Sequence, residues 1–161
     1  MSSDTNNPAR KAEIAKSKET RARSLARRLA MQAIYQWQIS ADDWEVILHQ
    51  FEENQDYARV DGEYFRELLE QVIAEEKELL AVIEEFFDRP LAQLDPVERA
   101  VLLVGVFELK HRIEVPYRVV LNESVDLARK FGAAESHKFI NAILDKAAAS
   151  LRKLEVKAAG R

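Results

Sequence analysis

The sequence predicts an all-α protein of six or seven helices, and three observations lead there. Only four glycines and four prolines interrupt 161 residues, apolar residues recur at helical spacing, and strict apolar–polar alternation is nowhere sustained. With 47% apolar residues the chain can bury one core without cross-links. No period of 20 to 50 residues recurs, which excludes a solenoid.

The first helix is placed at about Thr20 to Ile39, where Ala22, Leu25, Ala26, Leu29, Ala33 and Trp37 share one side and form the expected buried stripe. Arg23 and Arg27 flank that stripe on one edge; Arg21, Arg28 and Tyr35 project from the other. A shorter helix starts near Asp42, a capping residue type, and uses Trp44, Ile47, Leu48 and Phe51. Asn54 to Val60 read as loop. From Asp61 the pattern Tyr64, Phe65, Leu68, Leu69, Val72, Ile73, Leu80, Ile83 and Phe87 is helical, with a break expected at Glu75 to Lys77 and an end before Arg89-Pro90.

Asp95, Pro96 and Glu98 form a capping-box start before Val101, Leu102, Val104, Gly105 and Leu109. Its apolar residues spread around the axis, so this helix is expected at the centre. The next helix runs from Pro116 to Phe131, with Gly132 as a glycine C-cap. The last runs from about Glu135 through Phe139, Ile140, Ile143, Leu144, Ala147 and Leu151. The expected organisation is a basic, disordered tail over 1–19, a helical domain over 20–153 and a frayed tail over 154–161.

The chain carries a net charge of −4 distributed very unevenly. Residues 1–28 hold eight basic side chains against three acidic ones, a net +5, which leaves −9 on the rest. A basic arm suits a polyanion, and an acidic body suits a basic protein. There is no cysteine, so disulfides and thiolate metal sites are excluded. No signal-peptide pattern or apolar stretch of membrane-spanning length occurs, and the expected location is cytoplasmic, with no membrane partner.

Four segments carry a family resemblance: Ala30-Met31-Gln32-Ala33-Ile34-Tyr35-Gln36-Trp37-Gln38 after the arginines, Val97-Glu98-Arg99-Ala100-Val101-Leu102, Val115 to Glu123, and Phe131-Gly132-Ala133-Ala134-Glu135-Ser136-His137-Lys138-Phe139-Ile140-Asn141. In order and spacing they resemble the NusB transcription-antitermination family over residues 20 to 152. The resemblance implies two small helical bundles packed together. It implies a protein that binds the single-stranded boxA element of ribosomal and other antiterminated transcripts together with NusE, a small-subunit ribosomal protein, in an antitermination complex on RNA polymerase. It implies an RNA surface of Arg21, Arg23, Arg27 and Arg28 with Glu135, Lys138 and Phe139, and a NusE surface of Tyr35 and Glu98. Two departures stand out: Ser24 and Leu25 interrupt the arginine run, and Glu135 stands where many members have aspartate.

Residue chemistry supports part of this independently. Guanidinium groups bind phosphates bidentately, and unpaired bases stack on aromatic or arginine planes. Four of the site residues also have a structural reading. Phe139 fits the apolar stripe of its own helix, Arg23 and Arg27 fit surface ion pairs, and Glu98 fits its capping box. Tyr35, off the buried stripe, is expected as an exposed contact.

An enzyme is not expected, nor is any cofactor. Glu108-x-x-His111 matches one half of a di-iron carboxylate site, which needs a second such element and glutamates from other helices, so the pair reads as exposed surface. His49 and His137 add no ligand spacing. Glu75-Glu76 and Glu84-Glu85 point to different sides of a helix, and no phosphate loop or nucleophile elbow occurs. The alternative function is a helical protein–protein adaptor without sequence-specific RNA binding; an appendage of an RNA methyltransferase would need about 150 further residues. A homodimer that covers the arginine helix is also compatible with the sequence.

Overall fold

The computed structural model describes residues 7–160. Among them are eight α-helices and no strand: α1 Pro8–Ser40, α2 Trp44–Glu52, α3 Gly62–Ala74, α4 Glu76–Phe86, α5 Pro96–His111, α6 Tyr117–Phe131, α7 Ser136–Leu151 and α8 Lys153–Ala158. Short 3-10 turns at Gln55–Arg59 and Leu91–Gln93 complete the chain path. No helix among the described residues is long and apolar enough to cross a membrane.

The break at Glu75 gives the seventh of the expected helices, and α8 adds an eighth. Glu75 leaves helical geometry and separates α3 from α4 at the expected break. The segment expected to fray forms α8, because Arg152, Glu155 and Val156 have somewhere to go. Arg152 is 5% exposed. Its guanidinium donates to the carbonyls of Glu108, Leu109, Arg112 and Val115 at 2.6–3.0 Å. The last turn of α5 is thereby satisfied by a side chain from 40 residues on. Glu155 binds Arg152 and also accepts the Tyr117 N–H at 2.8 Å, a free amide at the start of α6. Val156 is buried beside them.

The other terminus also departs from expectation. Residues 8–19, read as part of a disordered tail, are the first turns of α1; residues 1–6 lie outside the described residues. Asn7 caps the helix through the Ala9 N–H at 2.9 Å, and Pro8 follows at the first helical position. The Ala-, Lys-, Glu- and Arg-rich composition then favours helix without any buried contact.

α5 sits at the centre as its all-round apolar pattern predicts, with eleven residues buried from Glu98 to Leu109. α1, α3, α4, α6 and α7 all pack on it. α1, α2 and α3 pack together on one side; α4, α6 and α7 surround α5 on the other, with α8 against α7. Gly105 lets α6 and α7 approach α5 closely: a Cβ there would lie 3.0 Å from both Leu144 Cδ atoms and from Ser124 Oγ. The buried face of α1 is wider than the expected stripe. Ala26, Ala30, Met31, Ala33 and Ile34 are buried, while Ala22, Leu25, Leu29 and Trp37 are half-buried, because α3 and α5 grip the helix from two directions. Gly132 closes α6 as expected but at φ −91°, outside the left-handed region; glycine is required by space, since a Cβ would lie 2.8 Å from the Ala128 carbonyl oxygen.

Candidate nucleic-acid interface

The four arginines of α1 divide by helix face. Arg21 and Arg28, seven residues apart, share an exposed face. Arg28 lies over the Phe131 ring at 5.0 Å, at the head of the 132–135 turn that leads into α7. Arg23 is half-buried, 4.2 Å over the Tyr64 ring and 3.6 Å from Asp61 Oδ2.

Arg27 overturns the expectation that its guanidinium reaches outward. It is 4% exposed, and its Nε donates to both oxygens of Glu108 at 2.8 and 2.9 Å. Glu108 is itself 1% exposed and accepts the Tyr64 hydroxyl as well. Glu123 completes the cluster, 3.7 Å from Arg27 and accepting the Ser24 hydroxyl at 2.5 Å. Burial alone would lower the Arg27 pKa, but Glu108, Tyr64 and Glu123 outweigh it and hold it above its ordinary value. Burial first, then the Glu108 carboxylate, pushes the Tyr64 hydroxyl well above its usual range. This ion pair joins α1, α3, α5 and α6, so the Glu108-x-x-His111 pair is not an exposed one: His111 turns outward to Glu75 at 2.8 Å while Glu108 turns in.

At the start of α7, Lys138 pairs with Glu135 at 2.7 Å, both well exposed. Phe139 is half-buried, with its ring 5.8 Å from that of Phe87 and the Arg89 guanidinium 5.2 Å from its centre. Phe139 therefore packs on the core and borders the surface. Arg89, which also lies 4.9 Å over Phe87, is absent from the residues the resemblance implies; Arg89-Pro90 marks only a helix end in the sequence pattern. Its signal was available in the run Phe86-Phe87-Asp88-Arg89, an arginine beside aromatics.

Tyr35 is 39% exposed and lies off the buried face as expected, one turn before the exposed Ile39 towards the end of α1. Glu98 is 6% exposed with both oxygens occupied. One closes the capping box on the Asp95 N–H at 3.1 Å, and the other accepts the Ser136 hydroxyl. The structure thus gives Glu98 the work of joining the starts of α5 and α7, and the Asp95 cap returns a bond to the Glu98 N–H at 2.8 Å. Among the described residues, no group of three or more His, Asp or Glu side chains is placed to hold a metal ion.

A NusB family model matches residues 24–149. The transcription antitermination protein NusB of Marinomonas sp. (strain MWYL1) is 48% identical over 153 residues, covering 94% of this chain and 88% of the relative. Among solved structures, T. maritima NusB superposes with a TM-score of 0.68 at 25% identity, covering 83% of this chain and 96% of that one. A chain from the crystal structure of the antitermination factors NusB and NusE in complex with double-stranded RNA gives the same TM-score at 24% identity, covering 81% and 98%, and shares the fold. With most of its length matched by the family model and nearly half its residues shared with a relative, the chain belongs to the NusB family.

Proposed function

We propose that this chain is a cytoplasmic, RNA-binding transcription antitermination factor, which takes boxA-type single-stranded RNA together with NusE within an RNA polymerase complex during ribosomal RNA transcription. The observation that carries the reading is the exposed Arg21–Arg28 face, with Arg28 stacked on Phe131 beside the turn that presents Glu135, Lys138 and Phe139. Cations supply phosphate contacts, and arginine and aromatic planes supply stacking, the two needs of an unpaired strand. Relatives at this level of identity bear the name transcription antitermination protein. Tyr35, with Ile39 one turn further on, offers NusE an exposed apolar contact towards the opposite end of α1. Arg27 and Glu98 serve in this reading by positioning the helices that carry the contacts, and Arg23 by fixing the edge of α1 on Tyr64 and Asp61.

One observation favours the alternative of a protein–protein adaptor: two of the four arginines are engaged inside the chain. Titrating a fluorescent boxA-like RNA and a scrambled one, with and without NusE, at two salt concentrations separates the readings. Preference for the boxA-like strand, strengthened by NusE and lost in Arg21→Ala with Arg28→Ala, is the expected result. Equal binding of both strands would leave the fold in place and make the chain an adaptor.

A further inference from the structure

The first turns of α1 run clear of the body, and every residue from 7 to 21 is exposed. At 3.6 residues per turn, Arg10, Lys11, Lys18, Arg21 and Arg28 all fall within about 100° of arc, and Arg10 and Arg28 stand about 27 Å apart along the axis. Opposite them, Lys16, Glu19, Thr20 and Arg23 line a groove against Glu114, Val115 and Val119 of the body. The helix therefore has a body side of mixed charge and a solvent side whose charged residues are basic. Glu13 borders that stripe, 3.9 Å from Arg10, but the pair is exposed and so weak. Ile14 is the only large apolar side chain between Pro8 and Arg21, too little apolar surface for a helix lying in a lipid interface.

We propose that this stripe is a phosphate track: a single RNA strand seated at Arg21 and Arg28 continues along Lys18, Lys11 and Arg10, beyond whatever bases the body reads. The inference rests on the RNA-binding reading above and extends it. A row of cations along a helix neutralises successive phosphates without regard to base, so the track contributes affinity that grows with strand length and falls with salt. Such a gain belongs to nucleotides flanking the recognised element.

The test compares the full chain with a variant carrying Arg10→Ala, Lys11→Ala and Lys18→Ala, using a boxA-like RNA core and the same core extended with uridines at either end. Circular dichroism confirms the fold of the variant, and all three positions are exposed. The full chain is expected to bind one of the extended strands at least several-fold more tightly than the core. In the variant that gain disappears, and the slope of log affinity against log salt becomes shallower by about 2, the change for three lost contacts on a single strand. Lys16→Ala, on the groove side, should keep the length gain. Extended and core strands binding equally to the full chain, or a variant that keeps the gain, would overturn the track. So would binding to anionic phosphatidylserine vesicles that rivals RNA binding and is lost in the same variant. If instead the length gain and its loss appear on scrambled RNA too, the track stands while the boxA preference fails.

Discussion

Arg27 and Arg21 are six residues apart on one helix and illustrate how differently the same side chain can act. Arg27 is enclosed with Glu108, so Arg27→Ala leaves a buried carboxylate without its cation and is expected to destabilise the protein by about 3–5 kcal/mol in chemical denaturation. Arg21→Ala, at the surface, is expected to stay within about 0.5 kcal/mol of the parent while weakening RNA binding. An Arg27→Ala protein as stable as the parent would show that the Glu108 pair has no structural weight. Under the RNA-binding reading, Arg89→Ala is expected to weaken RNA binding by about 1 kcal/mol, read in the same titration, by removing a guanidinium plane already held against Phe87 and Phe139. Periodicity places α1 and its arginines but not their roles, because a stripe drawn from apolar residues alone cannot show that α3 brings Tyr64 and α5 brings Glu108 to the same side. The clue was one carboxylate inside the apolar run Val101 to Leu109, which had to find a cation.

At the scale of elements, local rules were most legible where the signal is contained in a few consecutive residues. The α5 start is spelled out by Asp95-Pro96-Val97-Glu98, and the structure forms both capping-box bonds. The break at Glu75 and the end of α6 at Gly132 were legible for the same reason. α8 was not, because its cause lies far away in the carbonyls of α5. Gly105→Ala is expected to cost about 1–3 kcal/mol, measured as a fall in thermal midpoint, since its methyl must displace Leu144 and Ser124 in a packed centre. Ala41, which ends α1 at φ +58°, gives the opposite prediction: Ala41→Gly is expected to raise stability by up to about 1 kcal/mol, because glycine adopts that conformation without a Cβ penalty.

The whole molecule couples its two groups of helices through polar contacts as well as apolar packing. Glu155, which ties α8 to the start of α6, gives the polar contacts a pH dependence. Burial alone would raise its carboxyl, but the Tyr117 amide and Arg152 outweigh burial and hold it below its ordinary value. Its contribution is therefore complete above the unfolded carboxylate range and is lost as pH falls through the lower folded value. Glu155→Gln is expected to flatten the acid limb of the stability curve, followed by denaturation at several pH values; an unchanged limb would assign the acid sensitivity elsewhere. The charge asymmetry, basic on α1 and acidic on the body, was legible from composition at this scale, whereas the continuation of α1 back to Pro8 depends on an Asn7 cap at the edge of a polar segment.

Arg152 has a consequence for the way the chain is made. Synthesis delivers α5 and α6 before residue 152, so during translation the corner between them emerges with the Leu109 and Val115 carbonyls and the Tyr117 amide still without their side-chain partners. Those groups gain their permanent partners when the segment carrying Arg152 and Glu155 clears the ribosome. A chain in which α5 and α6 have emerged and Arg152 has not holds that corner unlocked, and the segment carrying Arg152 and Glu155 acts as its latch.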